Sequence, residues 1–193
     1  MRTLGKTSFN NQRALVRVDF NVPIDNGVIT DNSRIVGASK TIKYILKEGG
    51  ACVLMSHLGR PSGIDKKYSL KNILKEISKT LHVEVMFCDE TIGKKAQKMA
   101  IQLKPGQVLL LENLRFHKGE TCGDKDFAKE LSKLGTIYVN DAFGTAHRKH
   151  ASTSTVAKFF GNKKCFGFLL EKEIASLNKI IKEGKPPVTA ILG

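Results

Sequence analysis

Arginine is scarce in this 193-residue chain, and its placement carries the first chemical signal. Of 32 basic residues only Arg2, Arg13, Arg17, Arg34, Arg60, Arg115 and Arg148 are arginine; lysine supplies the rest. A guanidinium is planar and offers paired donors that match carboxylate and phosphate oxygens, whereas an ammonium is a hydrated point charge. Arg60 and Arg115 each stand a few residues beyond an apolar run, in SHLGRP (56–61) and ENLRF (112–116). Two further apolar runs end in DFNVP (19–23) and NDAFG (140–144), with Arg148 shortly after the second and Arg34 at the head of an amphipathic stretch. Such a set suits a small oxyanion better than a diffuse anionic surface. Taken singly, each member has an ordinary reading as well: Asp19 and Asn21 as a turn after a strand, each arginine as an exposed salt bridge.

Groups so far apart in sequence need a framework that brings run ends together. The apolar runs are 14–18, 51–55, 83–87, 108–111, 137–139, 165–170 and 188–192, most of them continuous rather than alternating, as strands buried on both faces require. Between them lie helical patterns. Ile35, Ala38, Ile42 and Ile45 share a face after Asp31 and Asn32; Leu70, Ile73, Leu74, Ile77 and Leu81 follow Ser69. Phe127, Leu131 and Leu134 mark a third helix, and Ile174, Leu177, Ile180 and Ile181 a fourth that stops at Gly184 before Pro186 and Pro187. Strands alternating with helices predict right-handed crossovers and an α/β fold: a three-layer, Rossmann-like domain with a mostly parallel sheet. In open parallel sheets the ligand crevice lies beyond the carboxyl ends of the strands, which is where these polar groups fall.

Composition narrows the class further. Apolar residues make up 41% and charged residues 26%, which excludes disorder, collagen and coiled coil. Thirty-two basic against 18 acidic residues leave a net charge of +14, so an anionic partner is expected. Nucleic acid is the rival to a small metabolite, yet there is no tryptophan, and Tyr44, Tyr68 and Tyr138 are scattered rather than arrayed as a stacking platform. Cys52, Cys88, Cys122 and Cys165 form no C-x-x-C, which points to reduced thiols and a cytoplasmic setting. No apolar run approaches the ~18 residues of a membrane span, and none of signal-peptide length precedes Asp19. His147 and His150 have H-x-x-H spacing, but no carboxylate accompanies them at ligand spacing, so no metal is expected there.

Six segments, in order, resemble the N-terminal half of the phosphoglycerate kinase family: RVDFNVP (17–23), DNSRI (31–35), SHLGRP (56–61), LENLRFH (111–117), NDAFGTAHR (140–148) and VTAILG (188–193). The resemblance implies a 3-phosphoglycerate-binding domain over residues 1–170, an interdomain helix and hinge over 171–187, and over 188–193 the first strand of a C-terminal nucleotide-binding domain absent from this chain. It implies that Asp19, Phe20 and Asn21 receive the hydroxyl and carboxylate end of the substrate. His57, Leu58, Gly59 and Arg60 would hold it, with His57 as a donor rather than a base, and Arg115 and Arg148 would clamp the distal phosphate. Arg34 is implied as the catalytic arginine and a substrate contact.

The reaction implied is reversible phosphoryl transfer, 1,3-bisphosphoglycerate plus ADP giving 3-phosphoglycerate plus ATP. Magnesium-bound ATP or ADP would sit on the other domain. The sequence here has neither G-x-x-x-x-G-K-[ST] nor G-x-G-x-x-G, so this half is expected to bind substrate without turning it over, as a monomer. The alternative is a non-catalytic half-domain that binds an anion or nucleic acid.

Overall fold

The computed structural model describes residues 2–184 and residue 189. Its strands are β1 (Arg2–Thr3), β2 (Arg13–Val18), β3 (Ile24–Asp25), β4 (Val28–Ile29), β5 (Ala51–Met55), β6 (Val85–Cys88), β7 (Val108–Leu111), β8 (Ile137–Asp141) and β9 (Lys164–Phe166). Its α-helices are α1 (Ser33–Lys47), α2 (Leu74–Leu81), α3 (Lys94–Ile101), α4 (Lys118–Cys122), α5 (Lys125–Ser132) and α6 (Phe168–Glu183).

Seven strands form one sheet in the order β1-β9-β8-β2-β5-β7-β6, every pair parallel, while β3 and β4 make a separate antiparallel hairpin. The continuous apolar runs acquire their meaning from the period-two geometry of a strand. Along β2, Ala14, Val16 and Val18 enter one core while Leu15 enters the other; in β5, Cys52 and Leu54 oppose Val53 and Met55. The first core is covered by Ile35, Ala38, Ile42 and Ile45 of α1 and by Ile77 and Leu81 of α2. The second is covered by Ala96 and Ala100 of α3, Phe127, Ala128 and Leu131 of α5, and Ala151, Val156 and Phe160. This is the three-layer α/β arrangement expected.

Connectivity places the site. From β2 the chain moves one way, to β5 and then β6 and β7, and later reaches β8 on the opposite flank of β2. The order therefore reverses at β2, and a crevice opens where its neighbours diverge. The strands deliver Asp19, Ser56, Glu112 and Asp141 to the same edge.

Several boundaries differ from the sequence reading. The run 83–87 gives a strand only from Val85, because α2 ends at Leu81 and His82 takes a left-handed turn (φ 59°). Asn140 and Asp141 belong to β8 rather than following it. The run 165–170 is strand only to Phe166, and the helix starts at Phe168, so a division at residue 170 falls inside α6. The reason is long-range capping. Thr41 Oγ1 accepts from the Phe168 amide at 2.9 Å, and Asp141 Oδ1 accepts from Leu169 and Leu170 at 2.9 and 3.1 Å. Gly167 is required there, since a Cβ would lie 2.3 Å from Asp141 Cγ. The expected strand 188–192, Pro186 and Pro187 lie outside the described residues, apart from Thr189.

Candidate active site

At the end of β2 the chain turns through Asp19, Phe20 and Asn21. The Phe20 amide donates to Ser56 Oγ at 2.8 Å and its ring is fully buried in the core, as is the Leu58 side chain. Both side chains support the core, so the ligand contacts implied for Phe20 and Leu58 would fall to their backbone atoms. The Leu58 carbonyl accepts from Asn113 Nδ2 at 2.8 Å, and the same amide donates to the Tyr68 carbonyl at 2.8 Å. Asn113, fully buried, thereby ties the loop after β5 to the loop after β7. Its Oδ1 also accepts from the Arg115 amide at 3.0 Å, which fixes where Arg115 begins.

The Gly59 peptide is held on both sides. Its N–H donates to Asn21 Oδ1 at 2.7 Å, and its carbonyl accepts from Arg115 Nη1 at 2.6 Å. Gly59 has φ +63°, and a Cβ would come within 2.3 Å of the Tyr68 ring. Packing against the Tyr68 ring by itself therefore requires a glycine at this position.

Arg60, Arg115 and Arg148 line one cavity of about 520 Å³ together with His117, Lys118 and His150. Burial, followed by the proximity of Arg148, Arg60 and Arg17, holds the Arg115 pKa below the ordinary arginine value. Arg60 and Arg148 thus crowd Arg115 in a cavity lined by no carboxylate, the condition an anionic ligand relieves. A larger cavity of about 840 Å³ opens on the Gly59–Tyr68 side, but its walls hold no arginine.

Arg34 stands apart from that trio. It is ion-paired with Asp19, the arginine side chain 50% exposed and the carboxylate 10%. The sequence reading placed all four arginines in one basin; three share it, and Arg34 is linked to it through Asp19. Asp19 Oδ1 accepts from the Asn21 amide at 3.3 Å, and Asn21 reaches Arg115 through Gly59. The result is an elongated polar rim with a cationic cavity at one end and an Asp19–Arg34 pair at the other.

His57 is buried, with Nδ1 3.3 Å from Arg17 Nη2. Arginine offers only donors, so Nδ1 accepts and the ring proton resides on Nε2. Burial and the nearby Arg17, Arg115 and Arg148 push the His57 pKa down to about 2, which keeps the imidazole neutral. It can donate through Nε2 but is a poor base.

Sequence reasoning missed the buried layer below. Arg17, Glu120 and Ser152 are all buried and joined by hydrogen bonds, yet Arg17 reads from the sequence as one polar residue in a strand and Glu120 as an ordinary helix surface charge. His150 Nδ1 lies 3.8 Å from Glu120 Oε1, and burial lowers its pKa despite that carboxylate. Among the described residues no group of three or more His, Cys, Asp or Glu is placed to hold a metal ion. Nor is any helix among them long and apolar enough to cross a membrane.

A parallel sheet in three layers, with arginines converging at its topological reversal, defines an α/β domain with a cationic crevice at its carboxyl edge. Comparison with known proteins gives the family. The family model described as phosphoglycerate kinase matches residues 4–193. A phosphoglycerate kinase from Hydrogenobaculum sp. is 47% identical over 193 residues, all of this chain and 49% of the relative. The cytosolic phosphoglycerate kinase 3 of Arabidopsis thaliana is 48% identical over 192 residues, 99% of this chain and 48% of its own length. The crystal structure of phosphoglycerate kinase from Pyrococcus horikoshii OT3 superimposes with a TM-score of 0.88 at 32% identity, covering 97% of this chain and 47% of that one. This chain belongs to the phosphoglycerate kinase family, and it spans about half the length of the curated relatives it matches.

Proposed function

We propose that this chain is the substrate-binding half of a phosphoglycerate kinase, taking 3-phosphoglycerate and 1,3-bisphosphoglycerate in reversible phosphoryl transfer with ADP and ATP. The observation that carries this reading is the cavity shared by Arg60, Arg115 and Arg148, joined to Asp19 and Arg34 by a run of hydrogen bonds. The distal phosphate enters the three-arginine cavity, where bidentate guanidinium contacts suit its oxygens. The hydroxyl and carboxylate end lies toward Asp19, Asn21 and Arg34, with the neutral His57 donating through Nε2.

In the ATP-consuming direction the nucleophile is the substrate carboxylate, with a reference pKa near ~4, so it is ionised at neutral pH and no general base is needed. What the protein supplies is alignment and positive charge on the oxygens of the moving phosphoryl group. Arg34, half-exposed at the rim, is the group of this half that can do so; binding of the carboxylate end would draw it from Asp19 toward the reacting oxygens. Magnesium-bound ADP or ATP is the second substrate and is held by the other half of the enzyme. The reading fits an intact enzyme that is a monomer in the cytoplasm, where Cys52, Cys88, Cys122 and Cys165 stay as free thiols.

Calorimetric titration tests the proposal. The chain is expected to bind 3-phosphoglycerate and to lose that binding by about tenfold or more when Arg148 or Arg60 is changed to alanine, since each charge-assisted pair is worth about 1.5–3 kcal/mol. It is expected to make no ATP from 1,3-bisphosphoglycerate and ADP unaided. Affinity for duplex DNA with a steep salt slope and no competition from 3-phosphoglycerate would overturn the reading.

A further inference from the structure

Beneath the arginine-lined cavity lies a second tier of charge. Arg17, near the end of β2, is 1% exposed, and Glu120 of α4 is fully buried. A guanidinium or carboxylate in such a place is strongly unfavourable unless hydrogen bonds and opposite charge surround it. The two do not meet directly. Ser152 stands between them: its hydroxyl accepts from Arg17 Nε at 2.9 Å and donates to Glu120 Oε1 at 2.6 Å, while its amide donates to Glu120 Oε2 at 3.0 Å. Only a group that accepts and donates at once can fill this position, and a serine hydroxyl does both.

The connections run on in two directions. From Arg17, Nη1 donates to the Val18 carbonyl and Nη2 faces His57 Nδ1, which fixes the tautomer of the ring. From Ser152, the backbone continues through the π-helical turn Ala151–Thr155, whose start is tied down by Thr153 Oγ1 donating to the Arg148 carbonyl at 2.8 Å. Tyr138 Oη donates to the Ser152 carbonyl at 2.8 Å and closes the network against β8. One hydroxyl thus sits between Arg17, with His57 beyond it, and the turn that leads back to Arg148 and His150 on the cavity wall.

We propose that Ser152, oriented by Glu120, is a positioning residue for phosphate recognition: its hydroxyl sets Arg17 and through it His57, and it anchors the turn that presents Arg148 and His150. Ser152 touches no ligand itself. The inference rests on the reading that the cavity receives the phosphate of 3-phosphoglycerate.

The experiment titrates 3-phosphoglycerate, and separately inorganic phosphate, into the chain and into Ser152→Ala and Glu120→Gln, with thermal melting to monitor folding. Ser152→Ala removes the relay, and Glu120→Gln keeps the shape but can no longer accept both Ser152 bonds. Each variant is expected to melt cooperatively and to bind both ligands about tenfold more weakly, the worth of a charge-assisted hydrogen bond. Nitrogen NMR of the His57 ring supplies a readout that a purely structural role leaves alone. Nδ1 carries the signal of a bare nitrogen in the unsubstituted chain and shifts in Ser152→Ala as Arg17 is released. Folded variants that bind within about twofold of the parent and keep the His57 signal overturn the proposal. Loss of the fold in both variants overturns it too, since Ser152 would then be a core element and nothing more. If the unsubstituted chain binds neither ligand, the phosphate reading fails by itself, and an unmoved His57 signal in Ser152→Ala would separately refute the relay.

Discussion

At the residue scale, two side chains show how burial selects a role. Arg34 keeps half its side chain in solvent while Asp19 is nearly enclosed, so the guanidinium is the partner free to leave. In an intact two-domain enzyme, Arg34→Ala is expected to lower turnover by a factor on the order of 10³ while 3-phosphoglycerate affinity falls far less, the division expected of a group that acts on the transferring phosphoryl. Steady-state kinetics check this; a rate within a few-fold of the parent removes Arg34 from catalysis. His57 behaves in the opposite way. Its pKa is near 2 when folded, held there by burial and then by Arg17, Arg115 and Arg148, and near ~6.5 when unfolded. Between those values the unfolded chain binds a proton that the native chain refuses. Stability is therefore fully present above about pH 6.5 and is lost as pH falls below it, by at most about 1.4 kcal/mol per pH unit. His57→Gln is expected to shrink the acid-induced loss between pH 6.5 and 5, read by urea unfolding, by up to about 2 kcal/mol.

At the element scale, the loops after β5 and β7 act as one unit because Asn113 and the Gly59 peptide join them. Tyr68 lies over Gly59, so backbone and ring within the β5–α2 connection are packed without room for a methyl group. Gly59→Ala adds both a contact at 2.3 Å and the strain of an L-residue at φ +63°, and is expected to destabilise the domain by about 2–3 kcal/mol. Changing Tyr68 to alanine in the same chain should recover the steric part but leave the backbone part, about 1 kcal/mol. Additive losses in this double-mutant cycle would show that the ring is not what confines Gly59. This pairing was not legible in the sequence, where Gly59 offered only its freedom of φ. The strands, by contrast, were: 51–55 and 108–111 are read with their observed ends, because a strand buried on both faces leaves an unbroken apolar run.

At the scale of the whole molecule, α6 leaves the sheet with its outer portion uncovered. Leu177, Ile180 and Ile181 are 46%, 54% and 77% exposed, on the helix that leads toward the portion present in the longer relatives. Apolar side chains grouped in this way favour association. The isolated chain is expected to self-associate as concentration rises, and Ile180→Lys with Ile181→Lys to suppress this without changing 3-phosphoglycerate affinity. Analytical ultracentrifugation and calorimetry together check both halves of the expectation. The net charge of +14 draws anions to the molecule generally, and the arginines of the cavity give that attraction a place.

The sequence by itself determined the parallel α/β architecture, because strand and helix periodicities are local and the apolar pattern repeats them. It also determined that scarce arginines follow strand ends, which a parallel sheet necessarily carries to one edge. Only the tertiary structure decided which of those arginines share a cavity, that Phe20 and Leu58 face inward, and that α6 begins at Phe168 under caps from Thr41 and Asp141. It alone revealed the Arg17–Ser152–Glu120 tier as well. The physical reason is the same in each case: hydrogen bonds and burial between residues more than twenty positions apart leave no periodic trace along the chain, so they exist as information only once the chain has folded.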